Sequence, residues 1–207
     1  MKTVAYRIET ARLVVRCWSP EDAEAVKRAE DESRVHLSPF MVWAAKGPET
    51  LDEVVAKLRL FRSWYDTNDD FMMGAFDRES GRLVGGCGLH ARAGAGGLEI
   101  GYWTHVACVR QGIATEMAAA LTRVAFEVAK VRFVEIRCAR SNAPSAKVPV
   151  KLGFRNEATL PARIELPGGS VDDALVFTLH DRDYAASVAA AASVSMRAFD
   201  AGGRALT

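Results

Sequence analysis

Leu98-Glu99-Ile100-Gly101-Tyr102-Trp103, then Val109-Arg110-Gln111-Gly112-Ile113-Ala114-Thr115-Glu116, a helical run over residues 117–130, and Phe133-Val134-Glu135-Ile136-Arg137-Cys138 together decide the architecture. The two outer stretches are short and rich in branched and aromatic side chains, which suits strands. Between them Ala118, Leu121, Val124, Ala125 and Val128 recur at helical spacing. Strand, helix and strand in that order form a crossover, so the two strands are expected to run parallel.

Outward from this unit the pattern changes to hairpins. Phe71-Met72-Met73-Gly74-Ala75-Phe76 is followed by the turn Asp77-Arg78-Glu79-Ser80-Gly81, and Leu83-Val84-Gly85-Gly86-Cys87-Gly88-Leu89-His90 by a glycine-rich turn over residues 93–97. Loops this short join antiparallel neighbours. Upstream, Thr10-Ala11-Arg12-Leu13-Val14-Val15-Arg16 alternates as a first strand, and Ser19-Pro20-Glu21-Asp22 opens a helix with a hydroxyl cap, a first-turn proline and two carboxylates. Residues 49–64 place Leu51, Val54, Val55, Leu58, Phe61 and Trp64 on one helical face. The irregular stretch 35–48, with Phe40, Met41 and Trp43, fits a loop packed on the core or one facing a substrate. Downstream come a helix over 145–152 and two strands, 158–166 and 173–179, around Pro167-Gly168-Gly169-Ser170. One parallel crossover among antiparallel hairpins gives an α+β class with a mixed, mostly antiparallel sheet flanked by helices.

A chain of 207 residues suits one well-cored domain. The expected division is a domain over 1–183 and an alanine-rich tail over 184–207, partly docked as a helix with Met196 and Phe199 on one face, against the domain or a second subunit of a homodimer. A net charge of +1 gives no footprint for nucleic acid. No stretch reaches the ~20 apolar residues of a membrane helix, and the first residues lack a signal-peptide pattern. The four cysteines, Cys17, Cys87, Cys108 and Cys138, are scattered in apolar surroundings. Reduced thiols and a cytoplasmic location are therefore expected, with no metal site.

The octet around Gly112 carries the sharpest chemistry. A helix start has N–H groups with no internal partner and a partial positive charge, which together bind phosphate. Gly112 and Ala114 would let a pyrophosphate approach closely, and Arg110 could add a charged contact. No Lys-Ser or Lys-Thr follows Gly112, so this is not a Walker loop, and it lacks the three spaced glycines of a dinucleotide fold.

Around the octet stand Glu99-Ile100-Gly101-Tyr102-Trp103 before it, and Asn142-Ala143-Pro144-Ser145-Ala146-Lys147-Val148 with Lys151-Leu152-Gly153-Phe154 after it. In this order the sequence resembles the GNAT acetyltransferase superfamily, and within it the RimJ/RimL-type protein N-terminal acetyltransferases. The likeness spans about residues 8–181. It implies a sheet splayed between strands 98–103 and 133–138, with acetyl-CoA in the gap as co-substrate. The pantetheine arm is expected at Trp103, Thr104 and His105, and the pyrophosphate at Arg110, Gln111, Gly112, Ile113, Ala114 and Thr115. Asn142 and Ser145 match polar positions beside the arm and the thiol. The chain departs from the family at Val109, where Arg or Gln is preferred, and at Pro149, which is expected to shorten or kink its helix.

For the reaction, a neutral amine must attack the thioester. Glu99, a carboxylate among apolar neighbours on the central strand, is the first candidate base, and Glu165 the second. Ser145 stands equally as the acid that protonates the leaving thiolate and as a simple helix cap. Backbone N–H groups at residues 103–105 are candidates for polarising the carbonyl. His90, His105 and Cys138 fit packing positions. The acceptor remains open between a protein N-terminus, a polyamine and an aminoglycoside-like amine. A CoA-binding module without catalysis and a purely structural domain are the rival classes.

Overall fold

A computed structural model describes residues 4–207. Among the described residues nine strands form one sheet: β1 (Arg7–Glu9), β2 (Leu13–Cys17), β3 (Phe71–Asp77), β4 (Leu83–His90), β5 (Gly97–Thr104), β6 (Phe133–Ala139), β7 (Arg155–Glu165), β8 (Val171–His180) and β9 (Arg197–Phe199). Their spatial order is β7-β8-β6-β5-β4-β3-β2-β1-β9. The β5–β6 pair is parallel, and the other pairs are antiparallel. The expected mixed sheet is therefore present.

On one face α1 (Ala23–Leu37) and α3 (Leu51–Thr67) bury Val26, Val54 and Leu58 with Trp18 and Leu83. Thr50 starts α3: its Oγ1 accepts from Glu53 N–H at 3.3 Å, while Thr50 N–H donates to the Glu53 carboxylate at 2.7 Å. Asn68, at φ +62°, ends it in the left-handed conformation. Within residues 35–48 a short helix α2 (Val42–Ala45) forms. The opposite face carries α4 (Ile113–Arg123), whose Met117 and Leu121 are fully buried in one core with Leu89, Leu98 and Ile100. It loosens into a π turn over Val124–Val128. The helix begins at Ile113, four residues before the run expected from 117, because Gly112 turns the chain into it. The helix α5 (Ala143–Lys151) follows β6, and α6 (Asp181–Tyr184) follows β8.

Residues 184–207 depart from the expected tail. A helix α7 (Val188–Ala192) packs on α4 through the buried Ala189, and Arg123 Nη1 donates to the carbonyls of Ser193 and Val194 at 2.6 and 2.8 Å. Met196 and Phe199 are buried as expected, yet not on a helix. Phe199 belongs to β9, which pairs with β1 from Arg7↔Phe199 to Glu9↔Arg197. Alanine propensity extends the helix only to Ala192; beyond it, the open edge of β1 offers backbone partners that a helix would forgo.

Candidate active site

The sheet opens where the crossover strands separate. β5 and β6 pair only at Gly97↔Phe133, Leu98↔Val134 and Glu99↔Glu135. Beyond that, β5 continues against β4 to Thr104, and β6 against β8 to Ala139. The gap is therefore walled by two strands that each keep a partner on the far side only. His105 N–H donates to Val84 O at 2.9 Å, so it is not free to polarise a carbonyl, contrary to the expectation for that residue. In an antiparallel ladder the backbone alternates, so Gly101 and Trp103 also face β4. Ile100, Tyr102 and Thr104 then turn their N–H and C=O groups into the gap, whereas those of Trp103 face β4.

Beside the gap, the octet winds tightly into α4. Arg110 has φ +60° and Gly112 φ +82°, both left-handed. The first helical bond is Glu116 N–H to Gly112 O at 3.0 Å, so the N–H groups of Ile113, Ala114 and Thr115 have no helical acceptor. Arg110 is exposed, and its guanidinium has no ion pair among the described residues. The Gln111 amide donates to Ala107 O at 2.9 Å and braces the turn. Arg12 fixes it from the far side, with Nε on Glu116 at 2.7 Å and Nη1 on Gln111 O at 2.9 Å; Thr10 Oγ1 donates to the same glutamate at 2.5 Å. A cavity of about 390 Å³ adjoins Gly112, with Thr115, Lys151, Ser193 and Met196 in its wall. A larger one, about 500 Å³, lies away from the gap around Arg155, Thr178 and Val188.

At the start of α5, Ser145 N–H donates to Asn142 Oδ1 at 3.2 Å, so Asn142 is the cap. Pro149 does not break the helix, which runs on to Lys151. Its missing N–H instead frees the carbonyl of Ser145, four residues back. The Tyr102 hydroxyl donates to that carbonyl at 3.0 Å and lies 3.3 Å from Ser145 Oγ. Burial lifts the Tyr102 phenol well above its ordinary pKa, against a smaller opposing effect of the Ser145 bond, so it stays neutral. Burial likewise pushes up the Cys138 thiol, again opposed by a hydrogen bond to Ser145. Tyr102, Ser145 and Cys138 thus meet where β5 and β6 diverge. The sequence singled out neither Tyr102 nor its bond, although a proline inside a helix always signals a freed carbonyl four residues earlier.

The face towards α1 and α3 differs in character. Glu99 is 6% exposed and ion-paired to Arg92 at 2.7 Å, with Arg137 at 3.8 Å. Its carboxylate is thus held between two cations. Glu165 stands exposed at the end of β7 opposite Val171, beyond Ala174, which pairs with the last residue of β6. Its side chain has no ion pair or hydrogen bond among the described residues. His105 is committed at both nitrogens, Nδ1 accepting from Ala107 N–H at 3.1 Å and Nε2 donating to Glu32 at 3.0 Å. His90 packs differently: Nδ1 lies 2.7 and 3.0 Å from the two Asp70 oxygens, while Nε2 has no hydrogen-bond partner among the described residues. Trp103 lies over Gly86 and meets Trp43 of α2 edge-on, with centroids 5.8 Å apart. The stretch 35–48 therefore reaches the β5 wall.

Comparison with known proteins gives the fold and the family. The N-acetyltransferase YoaA of Bacillus subtilis (strain 168), itself uncharacterized, is 24% identical over 154 residues, 74% of this chain and 85% of that protein. The structure of Mycobacterium smegmatis RimJ in complex with CoA-disulfide aligns with a TM-score of 0.76 and 21% identity, over 99% of this chain and 96% of that one. The ribosomal-protein-S5-alanine acetyltransferase of Vibrio fischeri aligns at 0.75 with 18% identity, over 86% and 98%. These likenesses are to the fold. The acetyltransferase (GNAT) domain model matches residues 12–155, most of the chain, and with the opened sheet and bare helix start beside it this places the chain in the GNAT acetyltransferase family.

Proposed function

We propose that this protein transfers the acetyl group of acetyl-CoA to a primary amine by direct attack within a ternary complex. The observation that carries the reading is the opening of β5 from β6 after Glu99, directly beside the unfilled N–H groups of α4. Pyrophosphate would sit on Gly112, Ile113, Ala114 and Thr115, with Arg110 and Gln111 at the turn. Each hydrogen bond to a charged oxygen contributes ~1.5–3 kcal/mol. Pantetheine would extend along the gap-facing groups of Tyr102 and Thr104 towards Asn142 and Ser145. Ser145 Oγ is the proposed acid for the thiolate, with Tyr102 holding it in place.

The amine is proposed to be a protein N-terminus. An α-amine, with pKa ~7.7–8.0, costs only about 1 kcal/mol to deprotonate at pH 7, against about 4.6 for a lysine at ~10.4. The site therefore needs no strong base, and the fold neighbours include a RimJ and a ribosomal-protein acetyltransferase. Glu99 stays a candidate base: Arg92 takes its Oε1 at 2.7 Å, whereas Arg137 hydrogen-bonds to Glu135 and lies 3.8 Å from Oε2. Glu165 stays outside the group of side chains gathered at the gap. Thioester cleavage with acetyl-CoA and a panel of peptide N-termini, polyamines and aminoglycosides tests the reading. Tight CoA binding without turnover on any amine would support a non-catalytic CoA module instead.

A further inference from the structure

We propose that His90, oriented by Asp70, is the general base that takes the proton from the acceptor amine. This inference rests on the acetyltransferase reading and deepens it. A carboxylate only accepts hydrogen bonds, so the contact of Nδ1 with Asp70 at 2.7 Å puts the proton on Nδ1 and leaves the lone pair on Nε2. That nitrogen is unpaired. The His90 side chain is 10% exposed, so part of the ring stays open to solvent.

The position of Nε2 follows from two glycines. A Cβ at Gly101 would lie 2.9 Å from it, and one at Gly88 would lie 3.2 Å from it. The imidazole therefore lies flat over β4 and β5, directly above Gly101, and any larger residue at 101 would displace it. Gly101 is two residues past Glu99, the last point at which β5 holds β6. Nε2 thus stands over β4 and β5, next to the point where β5 leaves β6, on the face opposite α4. An amine approaching from that face meets a thioester inserted from the other. On this face the other charged groups are Glu99 of β5 with Arg92 of the β4–β5 turn on its Oε1, and Glu135 and Arg137 of β6, hydrogen-bonded to each other, with Asp70 contributed by the α3–β3 turn.

The step balances as follows. His90 Nε2 takes one proton from the ammonium group, and the freed nitrogen lone pair attacks the thioester carbon, forming the C–N bond. The C–S bond breaks with its electron pair on sulfur. The second amine proton goes to that thiolate by way of the Ser145 hydroxyl, and His90 returns its proton to water. Amide, CoA thiol and one proton are released.

The test uses the full chain with acetyl-CoA and an alanine-initiated tripeptide. His90→Gln keeps a polar side chain without basicity, and turnover at pH 7 is expected to fall roughly five- to tenfold, the share of the α-amine that is not already neutral, and to recover as pH rises. CoA affinity by calorimetry should change less than twofold. Asp70→Asn, a positioning change, is expected to lower kcat about threefold at pH 7 with KM for acetyl-CoA unaltered. Ring nitrogen NMR of the wild-type protein gives a readout independent of turnover and of any variant: Nδ1 protonated and Nε2 bare. An Nε2–H tautomer, or a His90→Gln variant that keeps turnover within threefold while binding CoA, overturns the assignment. Failure of the wild type to bind CoA overturns the acetyltransferase reading itself.

Discussion

Gly112→Asp probes the phosphate site most directly. At φ +82° any L-residue costs about 1–2 kcal/mol, and Asp less than most. The added Cβ would lie 3.5 Å from Arg12 Nη2 with nothing nearer, so it meets no clash and its carboxylate gains a cation. In a chain of this size each kcal/mol lowers Tm by about 2–4 °C, which gives an expected loss of roughly 2–8 °C with the fold intact. The charge, however, lands beside the free N–H groups of Ile113, Ala114 and Thr115. A unit charge about 4 Å from a phosphate oxygen is unfavourable by roughly 1 kcal/mol in water-like surroundings and about 4 at a protein surface. CoA affinity should therefore fall at least tenfold, and the deficit should shrink as salt is raised. Gly112→Asn carries the same backbone strain without the charge and should lose much less. Calorimetric titration of CoA into the three proteins decides it. Equal affinities in wild type and Gly112→Asp, with Tm inside the stated range, would refute the phosphate site.

Ser145→Ala should slow thioester cleavage while changing acetyl-CoA affinity little, since a neutral hydroxyl contact contributes ~0.5–1.5 kcal/mol. Tyr102→Phe should lower Tm by leaving the Ser145 carbonyl unpaired, and that drop should largely vanish in Pro149→Ala, which restores the helical donor; equal drops in both backgrounds would contradict the link. Deleting residues 185–207 removes the buried Met196 and Phe199, each contributing about 1.5–3 kcal/mol, so Tm should fall by at least about 6 °C. CoA affinity should fall with it, because Ser193 and Met196 wall the cavity at Gly112, and an unchanged affinity would place the nucleotide elsewhere. Burial pushes the Cys17 and Cys87 thiols up to about 12, and Cys138 also upward, whereas Cys108 is half-buried. At pH 8 a disulfide reagent should label Cys108 first, with the others gaining reactivity only as pH rises or the chain unfolds; mass mapping of the first label checks this.

What the sequence disclosed was local. The hairpins from β3 to β5 and the crossover to β6 rest on side-chain alternation and short turns, which act over a few residues. Gly112 was legible because a small residue at a helix start lets a phosphate approach the backbone, and the structure adds that its φ of +82° suits glycine. Arg12 was not, because its grip on Gln111 and Glu116 joins segments about a hundred residues apart in sequence. The arginines on Glu99 and the acid beside His90 were hidden for the same reason: the sequence shows a titratable group but not which charges the fold brings to it. β1 and β9, at three residues each, are too short to show alternation, and each is a strand only because the other strands give it an edge.

The pairing of β1 with β9 also bears on how the molecule is assembled during synthesis. Nearly the whole described chain separates these two strands, so this is the contact with the greatest loop to close. Until residues 197–199 have left the ribosome, β1 presents an open edge to any other extended chain. The wall of the cavity at Gly112 that carries Ser193 and Met196 is made by the same late segment. A nascent chain would therefore complete this cavity only once β9 has joined the sheet, and a ligand held there would report that the sheet has closed.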